Sequence, residues 1–316
     1  MSKLIRAFAS RLAGILIVLL VLATVVFLIV RVTPGDPAAV MLGADATPQD
    51  IADLRERLGL NAPLIQQYFS FLSHAVRGDL GQSIFLNMPV TTALATRAEP
   101  TFFLTLFSIL IATGIALPVG IISAYKRGTI FDQLVVGITM VAASVPSFWL
   151  GLILIQTFAV SLGWFPVSGY GGPESGFLER IGHLVLPAVA LGIVNSALIT
   201  RFTRAAMLDV LSDDYIRTAR AKGASEGTVV LKHALKNALI PIITVIGLSI
   251  ALLVSGAVVT ETVFGLPGIG SLVVSAVLRR DYPVIQGALL VVATIYVLIN
   301  FVVDMLYVIV DPRVRL

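Results

Sequence analysis

Groups able to do covalent or metal chemistry are scarce in this 316-residue sequence. There is no Cys, which excludes disulfides, thiol nucleophiles and Cys-ligated metals, and three His do not make a His-rich metal site. No Gly-Lys dipeptide occurs, so there is no GxxxxGK(S/T) loop and the chain cannot bind ATP that way. An intramembrane serine protease would need a Ser in a GxSG-like setting and a His within the bilayer. Ser255-Gly256 is the nearest match, while His233 and His183 fall at the edges of apolar runs, so this class is excluded. One acidic residue, Asp304, lies inside an apolar run. Such a group is a functional candidate by default. Here pairing with Arg313 or a polar neighbour is the simpler reading, because a proton-coupled carrier needs more than one such group.

The charge that remains is concentrated in one interval, Ser212 to Pro241, flanked on both sides by apolar sequence. It reads as two short helices with a corner at Gly223. Ser212 is placed to cap the first helix, with Asp213 and Asp214 in its first turn, where negative charge suits the helix dipole. Arg217, Arg220 and Lys222 fall toward the other end, and Gly223 is expected in the left-handed C′ conformation. Ser225 can cap a second helix running toward Pro241. A folded charged corner between two apolar runs offers a partner protein something to grip; simple capping and packing is the alternative.

The elements that hold this corner are membrane spans. Of the residues 57% are hydrophobic and only 13% charged, against about 25% charged in soluble domains. Several uncharged runs of about 20 residues make this an all-α, polytopic membrane protein. Six spans are expected: 12–30, 101–124, about 133–160, 183–200, 238–260 and 284–310. The first is read as uncleaved, because its run ends at Arg31 and Pro34 and not at a small-x-small site. Pro118, Pro146 and Pro187 lie inside spans two to four and Pro241 at the start of the fifth. With Gly114, Gly120, Gly137, Ser144, Gly247, Ser249 and Gly256 they describe kinked, closely packed helices, which suit a bundle that opens and closes.

Six spans put both termini on one side. The segments 1–11, 126–132, 201–236 and 311–316 carry 14 of the 22 Lys and Arg, and the opposite, longer set carries 8. By the positive-inside rule the first set is cytoplasmic, which places the Gly223 corner there. The net charge of +4 therefore reports topology and not nucleic-acid binding.

The interval 31–100 is expected to be an extracytoplasmic helical lobe lying on the membrane. Thr47, Pro48 and Asp50 form a capping-box-like start, Gly59 an end, and 64–76 a second amphipathic helix. Its aromatic stripe (Tyr68, Phe69, Phe71, Leu72) reads as packing against lipid or the bundle and not as a ligand site. A Gly/Pro-rich loop at 161–182 carries Trp164, Phe165 and Tyr170 at interface depth. The domain reading is then a 1–11 N-terminus, span 12–30, lobe 31–100, a five-helix core 101–310 containing the charged loop 209–241, and a tail 311–316.

Ala219, Gly223, Leu235 and a later proline resemble the EAA loop of ABC importer permeases. DYIRTARAKG followed by KHALKNALIP is more similar to the dipeptide, oligopeptide, nickel and glutathione branch. The likeness extends along the chain: Thr33 to Pro37, Gly78 to Gly81, Lys126 to Asp132, Ser144-x-Pro146-x-Phe148, Glu261 to Phe264 with Pro267 to Gly270, Arg279 to Pro283, and Asp311-Pro312-Arg313. These are the marks of the branch's first permease subunit. Where the general pattern has Glu-Ala-Ala this chain has Arg217-Thr218-Ala219, a departure the peptide branch shares.

The resemblance implies a type I ABC importer permease fold with six transmembrane helices, in a bacterial cytoplasmic (inner) membrane. Implied partners are a homologous second permease subunit, two ATPase subunits, an extracytoplasmic solute-binding protein and membrane lipid. The chain itself would be no enzyme and bind no cofactor, ATP and Mg being held by the ATPases. The coupling residues would be Asp214, Tyr215, Arg217, Thr218, Ala219, Arg220, Lys222 and Gly223. The cargo would be di- or oligopeptides, with nickel chelates, glutathione or opines open. A free-standing carrier or channel is the reading from another class, opposed by the near absence of intramembrane charge and by the Gly223 corner.

Overall fold

The computed structural model describes residues 2–32, 36–43, 46–57, 59–172 and 174–310. Its helices are α1 (Ser2–Val32), α2 (Pro37–Leu42), α3 (Pro48–Arg57), α4 (Leu64–Val76), α5 (Val90–Tyr125) and α6 (Ile130–Ser144). They continue as α7 (Ser147–Leu154, extended by a π-helical Ile155–Ser161), α8 (Phe177–Leu211) and α9 (Asp214–Ala221). A further continuous helical run holds α10 (Glu226–Thr228), π-helical Val229–Ala234 and α11 (Leu235–Val263); α12 (Ile269–Arg279) and α13 (Tyr282–Val310) close the chain. Among the described residues extended structure is limited to one isolated bridge, Gln82 with Pro89.

Four of the expected spans, the second, fourth, fifth and sixth, have long apolar helices with different bounds. The helices 90–125, 177–211, 226–254 and 282–306 are each long and apolar enough to cross a membrane. The third expected span is broken: α6 and α7 meet at 94°, and count as a fifth crossing only if the bent pair is one span. The cause is local. Pro146 has no N–H, and Val145 before it is held extended (φ −85°, ψ 123°). The first expected span lies within α1, of which 14–29 is an apolar helical stretch. Pro241, expected at a span's start, sits inside a helix that began at Glu226. The Arg313 expected beside Asp304 lies outside the described residues.

The chain divides into two compact units, 1–99 with 272–298, and 100–271 with 299–316. The lobe expected at 31–100 thus shares a unit with 272–298, and its last residues belong to α5.

In the first unit the expected helix at 64–76 forms with those bounds. Its stripe packs on α1, the Tyr68 and Phe71 rings lying 5.3 and 5.7 Å from that of Phe27 and the Thr24 and Tyr68 hydroxyls 2.6 Å apart. The capping box closes: Thr47 N donates to Asp50 Oδ2 at 3.1 Å and Asp50 N to Thr47 Oγ1 at 3.2 Å. The Thr47 hydroxyl, then its amide, hold the Asp50 carboxyl below the usual carboxylate range. Asp281, buried, accepts from Ser83 Oγ at 2.6 Å and so fastens the 83–85 turn to the start of α13.

In the second unit α8 is the axle. Its 35 residues extend about 52 Å at 1.5 Å each, against about 30 Å of bilayer hydrocarbon. Two apolar clusters follow one another along it. One gathers Leu104, Leu184, Leu191, Ile199, Leu253 and Phe264. The other gathers Met207, Ile216, Val229, Ala234 and Ile242. Small residues let α5 approach: a Cβ on Gly120 would stand 2.8 Å from Thr203 Cβ, and one on Gly192 would stand 2.7 Å from Ile111 Cγ2. Packing this close gains dispersion contacts without a hydrophobic driving force from lipid.

Candidate functional site

The charged interval folds as the corner its residues describe, with one change at its start. Ser212 is not the cap of α9. It closes α8, its hydroxyl donating to Asp209 O at 2.7 Å, and Asp213 takes the extended N-cap position (φ −68°, ψ 147°). Two residues separate the helices, and each helix end takes the nearer one as its cap, Ser212 for α8 and Asp213 for α9. Asp214 then stands in the first turn of α9.

Eight residues make a helix of two turns, too short to be stable alone. Three anchors hold it. Ile216 is fully buried against Met207, Val229, Ala234 and Ile242. The Tyr215 hydroxyl accepts from Asn237 Nδ2 at 2.6 Å and donates to His233 O at 3.4 Å, which ties α9 to the helix that follows. Arg220 grips Glu226 with two parallel bonds, Nε to Oε1 at 2.9 Å and Nη2 to Oε2 at 3.2 Å, spanning the corner.

Gly223 ends α9 as expected, at φ +80°. Its N–H donates to Arg220 O at 2.9 Å and that of Ala224 to Ala219 O at 3.2 Å, the two bonds of a Schellman motif. No atom lies within 4 Å of where a Cβ would sit, so the need for glycine comes from the backbone angle and not from crowding.

The outward face carries the rest. Asp214 and Arg217 are 93% and 76% exposed in their side chains and paired at 3.3 Å. Thr218 donates to Asp214 O, Ala219 is half-buried, and Lys222 is exposed at the C-cap, its N–H donating to Thr218 O. Exposed pairs of this kind contribute at most about 1 kcal/mol. They are free to exchange a partner on this helix for one on another protein. All eight residues singled out from the sequence therefore lie on one two-turn helix and its cap.

The sequence reading missed the residues that hold this helix. Ile216 is the one aliphatic side chain larger than Ala between Ser212 and Lys222, and that contrast is a readable sign of an anchor. Asn237 and Glu226 carry no such sign. Nor does the buried pair near the end of α8. There Arg204 Nε and Nη2 donate to Asp132 Oδ1 and Oδ2 at 2.6 and 2.8 Å. Ser123 Oγ (2.5 Å) and Gly128 N (2.9 Å) complete the four bonds this carboxylate can accept.

At the other end of the second unit Glu261, fully buried, accepts from Thr101 Oγ1 at 2.5 Å and Ser271 N at 2.9 Å. Thr101 Oγ1 in turn accepts from Ile269 N at 2.9 Å. Both amides belong to the first turn of α12, whose cap position is Gly268. A side chain there would fall on the Glu261 carboxyl, so the cap is supplied from α5 and α11 instead.

Comparison with known proteins agrees with this architecture. Residues 116–316 match the family described as "Binding-protein-dependent transport system inner membrane component", and 4–95 match the N-terminal family of the same systems. A probable peptide ABC transporter permease of Sinorhizobium fredii is 44% identical over 305 residues, covering 96% of this chain and 97% of its own. A dipeptide transport system permease of Alkalihalophilus pseudofirmus is 44% identical over 330 residues, covering 98% and 99%. A glutathione transport system permease of Escherichia coli K12 is 44% identical over 306 residues, covering 97% of both. Among solved structures, an inward-facing MetNI methionine ABC transporter matches at TM-score 0.57 and 23% identity, over 69% of this chain and 96% of that one, which is a likeness of fold. With more than half its length inside one family, and relatives 44% identical end to end, the chain belongs to the binding-protein-dependent transport system inner membrane components, the permease subunits of ABC importers.

Proposed function

We propose that this permease forms half of the path of an ATP-driven importer for di- or oligopeptides, and that α9 with Gly223 is its coupling element. The single observation that carries the reading is the build of that helix. It is held on its inner face by Ile216 and Tyr215, fixed in angle by a Schellman cap, and charged and exposed on its outer face. A docked helix of this kind transmits force as a rigid body.

In this reading the homologous second permease supplies the other half of the path, and two ATPase subunits holding ATP and Mg dock on the α9 face. A solute-binding protein delivers cargo at the opposite side. Both termini and the 209–241 loop face the cytoplasm of a bacterial inner membrane, which the Lys/Arg distribution supports. Six spans, an outer lobe within 31–100 and a core from 101 to 310 complete the reading. The three relatives named for peptide, dipeptide and glutathione transport support a peptide cargo, glutathione being itself a tripeptide.

The test is uptake in proteoliposomes holding all partner subunits. Gly223→Asp forces a side chain onto a left-handed backbone, and Ala219→Glu places a charge at a half-buried position of the docking helix. Both are expected to abolish ATP-coupled uptake while leaving ligand affinity of the binding protein unchanged. Full uptake in both variants overturns the coupling assignment.

A further inference from the structure

The corner hangs from the end of α8, and what happens at α9 can reach the bundle only if that end is locked to other helices. We infer that Asp132 and Arg204 are the positioning pair that makes this lock, joining the α8 end to the turn between α5 and α6. The inference rests on the coupling role proposed for α9.

The geometry is specific to that job. Arg204 lies two turns before Leu211, the last residue of α8. Asp132 lies in the first turn of α6, after the turn that starts at Lys126. Its side chain is 5% exposed and that of Arg204 25%. The same carboxylate is bonded by three segments: α8 through Arg204, α5 through Ser123, and the 126–129 turn through the Gly128 amide. Thr129 adds a fourth tie, its hydroxyl donating to Lys126 O at 2.7 Å and accepting from Asp132 N at 3.4 Å. The residue before Arg204 on α8, Thr203, meets Gly120, so α5 and α8 touch at the same level with no glycine side chain between them.

A planar guanidinium with two bonds to one carboxylate resists both sliding and rotation, which a single bond or an apolar contact does not. A buried pair of this kind contributes little net stability against a well-packed apolar replacement, so its gain lies in fixing geometry. Displacement of α9 then moves the α8 end and the α5–α6 turn together. Without the pair, α8 can rock against α5 and the motion dissipates at that contact.

Arg204→Lys, Arg204→Gln and Asp132→Asn test this in the full importer reconstituted with its ATPases and binding protein. Three quantities are read: ATPase subunits retained on the purified complex, ATP hydrolysed, and ATP consumed per solute taken up. The ATPases are expected to stay bound, because Ile216, Tyr215 and Gly223 are untouched. ATP per solute is expected to rise about tenfold in Asp132→Asn and Arg204→Gln. Arg204→Lys should fall between these and wild type, since an ammonium keeps the charge and loses the paired geometry. A wild-type ratio of ATP to solute in both neutral variants overturns the proposal. Loss of the ATPases from all three variants also overturns it, reducing the pair to a folding element. Failure of the α9 reading looks different: the wild-type chain then retains no ATPases, Gly223→Asp changes nothing, and the proposal falls with it.

Discussion

The second unit buries two carboxylates, Asp132 near one end and Glu261 at the other, and they are satisfied in different ways. Asp132 meets a guanidinium 72 residues away and fills all four acceptor sites. Glu261 meets the Thr101 hydroxyl and the Ser271 amide in the first turn of α12, acting with Thr101 as the cap that Gly268 cannot supply. Each has a left-handed glycine four residues away along the chain, Gly128 at φ +79° and Gly265 at φ +60°. Leu266 N donates to Glu261 O and Gly265 N to Thr262 O, so α11 ends in the same Schellman pattern as α9. The difference teaches what each end must withstand. A full ion pair across helices resists shear between them. Capping in trans holds a loop and the helix it starts, through the polarity of free backbone amides.

That comparison can be broken by substitution, taking the largest effect first. Arg204→Ala leaves Asp132 buried without its cation and is expected to cost about 3–5 kcal/mol. The measurement is the apparent melting temperature of the detergent-solubilised protein. Ile216→Ala empties the pocket under α9 at an expected cost of about 2–5 kcal/mol. Hydrogen exchange should show that loss most clearly in 214–224.

Thr101→Val removes the hydroxyl shared by Glu261 and Ile269 N, and about 1–3 kcal/mol should go with it. The same melting assay compares the two ends directly. If Thr101→Val costs as much as Arg204→Ala, the distinction between charge pair and trans cap is lost. Gly223→Asp is expected to cost only about 1–2 kcal/mol through its left-handed backbone, with Gly223→Asn nearer wild type. Its large effect on uptake beside a small effect on stability would separate the coupling corner from both buried carboxylates. Smallest of all, Arg217→Ala breaks an exposed pair and should shift stability by less than about 1 kcal/mol. Any loss of uptake beyond that would mark Arg217 as a contact to a partner.

Local chemistry was readable from the chain. The capping box at Thr47 and Asp50, the helix from Leu64 to Val76 and the left-handed Gly223 all depend on residues within one or two turns of each other. Misreadings arose where two local preferences competed. Ser212 is a good cap for α9, yet it was taken by the end of α8 one residue earlier. Pro146 and Pro241 look alike in sequence. One breaks its helix by 94°, and the other is carried inside a continuous one. The residue before each decides this, and Val145 is extended.

The sequence by itself determined that this is a multi-span membrane protein, where its charge concentrates, and that its corner turns at a glycine. These follow from hydropathy, charge placement and backbone allowances, all properties of neighbours along the chain. Only the tertiary structure decided that Ile216 anchors the corner, that Asp132 closes on Arg204, and that Thr101 and Glu261 cap a helix near residue 269. Each of those joins residues on different helices, from about ten to more than a hundred positions apart. Which buried polar group finds which partner is settled by how the helices pack, because an unpaired charge or amide in that interior costs more than any local preference contributes.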